Sequence, residues 1–225
     1  MKFMIHSCNS RQWYVDTFLV PSLLKQGIAE EDIYVYQDKE CKGNLVSYVE
    51  SSHKAYELWG EDENVWHLQD DVIVCSDFKK RCEELESDKT KIICAFTCKY
   101  DDNRGPGLKP ALDHMWYSFP CMRLTTYISK HFALWTDTYV WRDNQFYFWI
   151  KYKKGDDSVF RVFIENYYPD EPVLNLVPNL VDHIDFLLGG TVVNPQRQAS
   201  GFNVRSMYWE EPELVEKLME DISKL

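Results

Sequence analysis

A chain of 225 residues with 45% hydrophobic and 27% charged content is long enough for one large domain or two small ones. Its formal net charge of −11 argues against free nucleic acid as the main partner, because phosphate backbones are held by an excess of Lys and Arg. A small anionic ligand stays open if a metal ion supplies the positive charge.

The chain begins Met-Lys-Phe-Met-Ile before turning polar at His6, too short an apolar run for a signal peptide. The same run suits a buried first strand. The stretch from Ser10 to Gly27 reads as a helix, with Ser10 as cap and Gly27 as stop. Val15, Phe18, Leu19 and Leu23 share its apolar face, and Pro21 is expected to kink it or start a new turn. Asp32 to Asp38 is the second strand. The second helix is expected from the Asn44 cap to Gly60. The third strand, 65–74, contains Asp70-Asp71. A short helix capped by Ser76 follows, with Phe78, Cys82 and Leu85 on one side, and then the fourth strand, "KIICAFTC".

This β-α-β-α-β-α-β order predicts an α/β domain, with a mostly parallel sheet and helices on both faces. Such sheets bind ligands at the carboxyl ends of their strands. Residues 99–110 read as a polar loop punctuated by Gly and Pro. An added strand is expected near 115–124, a helix over 125–141, and a second helix after Asp156-Asp157. An extended apolar stretch broken by Pro178 leads to His183. Residues 191–209 are polar and irregular, and an amphipathic helix closes the chain. The organisation is a single domain, with a nucleotide-type half over about residues 1–100 and a mixed half with a C-terminal tail over about 101–225.

Seven cysteines, an odd number with no CxxC pair, read as reduced thiols in a cytoplasmic protein. No apolar run approaches the roughly 20 residues that span a bilayer. There is no GxGxxG after the first strand and no GxxxxGK[ST]. A bound nucleotide would therefore need a metal at its diphosphate. Asp70 and Asp71 supply carboxylates for a hard divalent ion, and His183 supplies an imidazole that Mn²⁺ accepts. Adjacent acids at a solvated strand end, and a histidine in a core, are the ordinary alternatives.

The stretch "HLQDDVIVCSDF" resembles the metal-binding strand of GT-A glycosyltransferases, "VPNLVDHIDFLLGG" is similar to the late segment that returns a His to the metal, and "KGDDSVF" is similar to their acceptor-side acidic motif. The order of these motifs over about residues 3–205 resembles small single-domain enzymes of the kind found in prophages and bacterial polysaccharide loci.

The resemblance implies a GT-A-like, Rossmann-type sheet. It also implies transfer of a sugar from a nucleoside diphosphate sugar, UDP first among the candidates, to a hydroxyl acceptor on a glycan, lipid-linked or protein partner. Mn²⁺ or Mg²⁺ is the implied cofactor. Asp71 matches the acid that binds the ion, Asp70 the acid before it, which contacts the ribose or the metal through water, and His183 the third ligand. Gln69 departs from the pattern, since many members carry an acid there. Asp157 matches the base, with Asp156 orienting the acceptor. The same two acids also make a good helix start.

Loops after the first two strands are expected to read the nucleoside. His6 and Arg11 follow strand one, with Arg11 meeting a phosphate, and Asp38 after strand two accepts from a base N–H. Arg197 and Arg205 in the tail are candidates to offset diphosphate charge, and Trp116, Tyr117 and Trp141 to stack on a sugar. Two other classes stay open. One is a metal-dependent nucleotidyltransferase or phosphohydrolase, for which no DxDx[TV] strand is present. The other is an inactive sugar- or protein-binding module.

Overall fold

Alternate residues of the first strand, β1 (Lys2–Cys8), enter two different cores. In the computed structural model, Phe3 and Ile5 join one apolar cluster and Met4 joins another. The structure describes residues 1–40, 42–96, 105–111, 120–136 and 156–184, with Leu188, Glu220 and Lys224, and leaves out the side chains of Asn44 and of residues 156–158. Expectations for residues 112–119, 137–155 and the closing helix lie outside it, as do Cys98, Arg197, Arg205, Trp116, Tyr117 and Trp141.

The period of two repeats across the sheet. Trp66 and Leu68 on β3 (Asn64–Gln69), Ile93 on β5 (Ile92–Cys94) and Cys121 on β7 (Cys121–Thr125) face the first core. Val65, Ile92, Cys94, Met122 and Leu124 face the other side. Both faces are therefore apolar and both need covering. The first is covered by α1 (Gln12–Tyr14), a π-helical turn (Val15–Leu19), α2 (Val20–Lys25) and α4 (Phe78–Glu86). The second is covered by α3 (Asn44–Trp59), α5 (Thr126–Trp135) and α6 (Asp156–Tyr167). The result is a mixed α/β domain with helices on both faces, as the sequence predicts.

With β2 (Ile33–Asp38), β8 (Val173–Val177) and β6 (Gly107–Pro110), the main sheet has, among the described residues, seven strands in the order β2-β1-β3-β7-β5-β8-β6. The pairs β1–β2, β1–β3 and β5–β8 are parallel. β7 runs antiparallel between β3 and β5, and β6 antiparallel to β8. The chain leaves β1 to one side for β2 and then crosses back through α3 to place β3 on the other side of β1. This reversal opens a crevice at the carboxyl ends of β1 and β3.

Several boundaries differ from the sequence reading. The third strand does not run unbroken from 65 to 74. It stops at Gln69, turns at Asp70-Asp71, and restarts as β4 (Val72–Val74), which pairs with β9 (Val181–His183) in a separate two-stranded sheet. Part of the expected loop over 99–110 is the edge strand β6, where Gly, Lys and Pro suit a strand with one unpaired side.

The first helix starts after Arg11 rather than Ser10, and its π turn ends just before Pro21, whose missing N–H falls in the first turn of α2. Asn44 is not the cap of α3. Gly43 holds that position at φ +98°, and the Asp38 carboxylate accepts from the Gly43 N–H at 3.1 Å and the Ser47 hydroxyl at 3.0 Å. The cap position of α4 is Asp77 rather than Ser76.

Candidate functional site

The turn after β3 carries the acid pair to the crevice, and both carboxylates are buried there, Asp70 7% and Asp71 3% exposed. Two like charges so placed need compensation. It comes from three directions. The Cys8 N–H at the end of β1 donates to Asp70 Oδ2 at 2.9 Å. Arg11 Nη1 donates to Asp70 Oδ1 at 2.9 Å and also to Asp71 Oδ2. His183 Nε2 lies 3.1 Å from the same Asp71 Oδ2.

His183 arrives through the small sheet. β9 pairs with β4 in a register that sets His183 opposite Val72, and the Ile184 N–H donates to the Asp71 carbonyl at 2.8 Å. The Leu180 N–H donates to the Ala95 carbonyl at 2.8 Å, which ties the incoming segment to the end of β5. Below the turn, the Tyr14 hydroxyl donates to the Val72 carbonyl at 2.8 Å. The sequence-distant Asp71 and His183 are thus brought together by main-chain pairing on both sides.

The two acids differ electrostatically. Burial and the neighbouring Asp71 raise the pKa of Asp70 against the opposing pull of Arg11. Burial also pushes Asp71 up, but His183 and Arg11 outweigh it and hold that carboxyl below its ordinary value. Burial disfavours the Arg11 charge, yet the two carboxylates raise its pKa overall.

The donor set suits a divalent ion. Two carboxylates and an imidazole are Mn²⁺-type ligands. Neighbouring ligands on an octahedral ion with bonds of about 2.1 Å stand about 3.0 Å apart, close to the separation of Asp71 Oδ2 and His183 Nε2. Asp71 Oδ1 is buried and has no hydrogen-bond partner among the described residues. A buried carboxylate oxygen left in that state costs free energy unless something positive meets it. The residues therefore fit a metal, with one qualification: Arg11 Nη1 stands on an oxygen the ion would use. Among the described residues, no group of three or more His, Cys, Asp or Glu is assembled to hold a metal ion.

Other expected site residues are placed elsewhere. Asp38 sits at the carboxyl end of β2 but is 4% exposed and committed to the start of α3. Burial raises its pKa, but hydrogen bonds from the backbone of Lys42 and Gly43 and from Ser47 outweigh this and lower it overall. His6 points to the α3–α5 face. The Ser51 hydroxyl donates to the Tyr48 carbonyl at 2.9 Å, so its oxygen accepts from His6 Nδ1–H at 2.9 Å. His6 Nε2 then accepts from His67 Nδ1–H at 3.0 Å, and His67 Nε2 accepts from the Ser129 hydroxyl at 3.3 Å. Both nitrogens of His6 are used internally, and burial lowers its pKa to about 3. Gln69 ends β3, its N–H donating to the Pro120 carbonyl at 3.2 Å. Asp156 and Asp157 open α6 as expected, with their side chains outside the described residues.

The feature missed in sequence is the contact of Arg11 with both acids. The signal for it was the strand order. A 2-1-3 arrangement puts the loop after β1 beside the end of β3, so a buried acid pair there needs its cation from residues 8–11.

No protein-family model matches this sequence, and a search of curated proteins finds no match. Among solved structures, the fold is similar to A197 from STIV, with 12% identity over 82% of this chain and 86% of that chain and a TM-score of 0.44. It is also similar to a glycosyltransferase involved in the glycosylation of the major capsid of PBCV-1, with 12% identity over 98% of this chain and 100% of that chain and a TM-score of 0.49. At these values the likeness carries no argument about chemistry, which has to come from the residues themselves. Among the described residues, no helix is long and apolar enough to cross a membrane.

Proposed function

We propose that this chain is a metal-dependent glycosyltransferase that uses a nucleoside diphosphate sugar, with UDP as the first donor to test. The supporting observation is the convergence of Asp70, Asp71 and His183 at the strand-order reversal, with Asp71 Oδ1 buried and unpartnered among the described residues. Asp71 and His183 would hold Mn²⁺ or Mg²⁺, with Asp70 beside them fixed by the Cys8 N–H. The ion would supply positive charge to the departing diphosphate.

The chain's own residues do the rest. Asp70 and Asp71 set where the donor's diphosphate lies, at the end of β3. Asp157 at the start of α6 takes the proton of the acceptor hydroxyl as that oxygen bonds to the anomeric carbon. The bond from the anomeric carbon to the diphosphate oxygen breaks in the same step, with its electron pair leaving on the diphosphate. Asp156 orients the acceptor. In this reading Asp38 and His6 support the nucleoside-side loops through α3 and the sheet rather than by touching the ligand.

Thermal denaturation with UDP, GDP and CMP, each with and without Mn²⁺, tests the reading. Stabilisation that requires a nucleoside diphosphate and Mn²⁺ together is expected. Stabilisation by free sugars alone, with no effect of nucleotide and metal, would overturn it in favour of a sugar-binding module.

A further inference from the structure

We propose that Arg11 is an exchangeable internal counter-cation: its guanidinium and a divalent ion compete for the same aspartate oxygens, and the ion binds as Arg11 lets go of Asp71. The inference rests on the reading of this site as a cation site and adds a control element to it.

The distribution of partners over the four carboxylate oxygens carries the argument. Asp70 Oδ2 is anchored by a main-chain N–H of β1. Asp70 Oδ1 and Asp71 Oδ2 share one nitrogen, Arg11 Nη1. Asp71 Oδ2 also faces His183 Nε2 at 3.1 Å, so one oxygen serves two donors. Asp71 Oδ1, on the same carboxylate, has no partner among the described residues. A cation placed to use Asp71 and His183 meets the guanidinium first. Without any cation the buried pair would stand uncompensated, so Arg11 keeps the empty site folded.

Exchange needs only the side chain to move. The Arg11 main chain is fixed on both sides: its N–H donates to the Cys8 carbonyl at 3.1 Å, and its carbonyl accepts from Tyr14 at 2.9 Å and Val15 at 3.2 Å. The flexible stem between that anchor and the guanidinium lets the head rotate while α1 stays in place. The ion's apparent affinity is then lowered by the fraction of time Arg11 spends on Asp71.

Mn²⁺ binding to the full chain without nucleotide, followed by the EPR signal of free Mn²⁺ at fixed ionic strength, tests this. Arg11→Met is expected to bind Mn²⁺ about tenfold tighter than wild type, or better, because the competitor is gone. It is also expected to melt earlier than wild type without metal and to recover with Mn²⁺. Arg11→Lys, which exchanges the weakly hydrated guanidinium for a more strongly hydrated ammonium, is expected to tighten binding by about threefold, and it carries the test if Arg11→Met does not fold. Asp71→Asn abolishes binding in every background.

Equal or weaker Mn²⁺ binding in both Arg11 variants, with Asp71-dependent binding intact in wild type, overturns the exchange and leaves the cation site standing. Absence of Asp71-dependent Mn²⁺ binding in all chains overturns both.

Discussion

Among the described residues two arginines are buried, and they do opposite things. Arg123 on β7 is fully buried and gives its donors to main-chain carbonyls: Leu85 at the end of α4, Asp88 at 3.0 Å, and Thr90. Burial lowers its pKa, and the acids Glu86 and Asp88 only partly restore it. Arg11 is 8% exposed and gives its charge to two carboxylates, whose presence raises its pKa. Arg123 satisfies groups that would otherwise be orphaned at a helix end. Arg11 meets groups whose own chemistry invites a stronger cation. Burial of a charge alone therefore does not mark a site, because the identity of the partner decides what the charge is for.

The sharpest way to break this contrast is Arg123→Met. It should cost about 4 kcal/mol of stability, since three carbonyls lose their donors in a dry setting. Urea denaturation measures this, and nucleotide binding by the folded variant should match wild type. A loss under about 1 kcal/mol would mean that those carbonyls find water or other donors.

On the other side, Asp71→Asn should weaken Mn²⁺-dependent UDP binding by about a hundredfold, or about 2.7 kcal/mol, with the fold retained by circular dichroism. Affinity within threefold of wild type would remove Asp71 from the site.

How far the sequence could be read differs between these regions. The βαβ half follows from strand and helix patterns that sit in local stretches, whereas the pairing of Asp71 with His183 is expected only from the motif resemblance. The departure of β4 from the main sheet follows from neither, because Val72-Ile73-Val74 reads as more of the same buried strand. The edge strand β6 hid behind the Gly and Pro that make an edge tolerable. Asp38 looked like a free acid after a strand, and only the fold shows it reaching forward to the Gly43 N–H and the Ser47 hydroxyl. Arg11, likewise, could be read as a surface cation until the strand order placed it against Asp70 and Asp71.

A third prediction concerns the histidine chain that holds β1 to β3. His6 has its pKa lowered to about 3, and that of His67 is also held well below 6.5, both by burial. The unfolded chain takes up these protons as pH falls below about 6.5 while the folded chain does not. The stability tied to the neutral rings is therefore fully present above that pH and is lost below it. Each ring's contribution to the slope grows as pH falls below 6.5 and approaches about 1.4 kcal/mol per pH unit near pH 5. In urea titrations over this window, His67→Gln should flatten the curve by that amount. An unchanged slope would mean that the ring is charged in the fold.

The smallest expected effect separates a cap from a ligand contact. Asp38→Ala should cost about 1 kcal/mol through the start of α3 and leave Mn²⁺-dependent UDP affinity within about threefold. A tenfold loss of affinity would return Asp38 to the nucleoside.

The central claim is that a divalent ion sits between Asp71 and His183. Pulsed EPR on Mn²⁺ bound to the protein reads it directly, because an imidazole nitrogen on the metal modulates the electron spin echo. The account predicts ¹⁴N modulation in wild type and its loss in His183→Gln, with Mn²⁺ still held by the acids. Modulation that is absent in wild type, or that persists in His183→Gln, would contradict it.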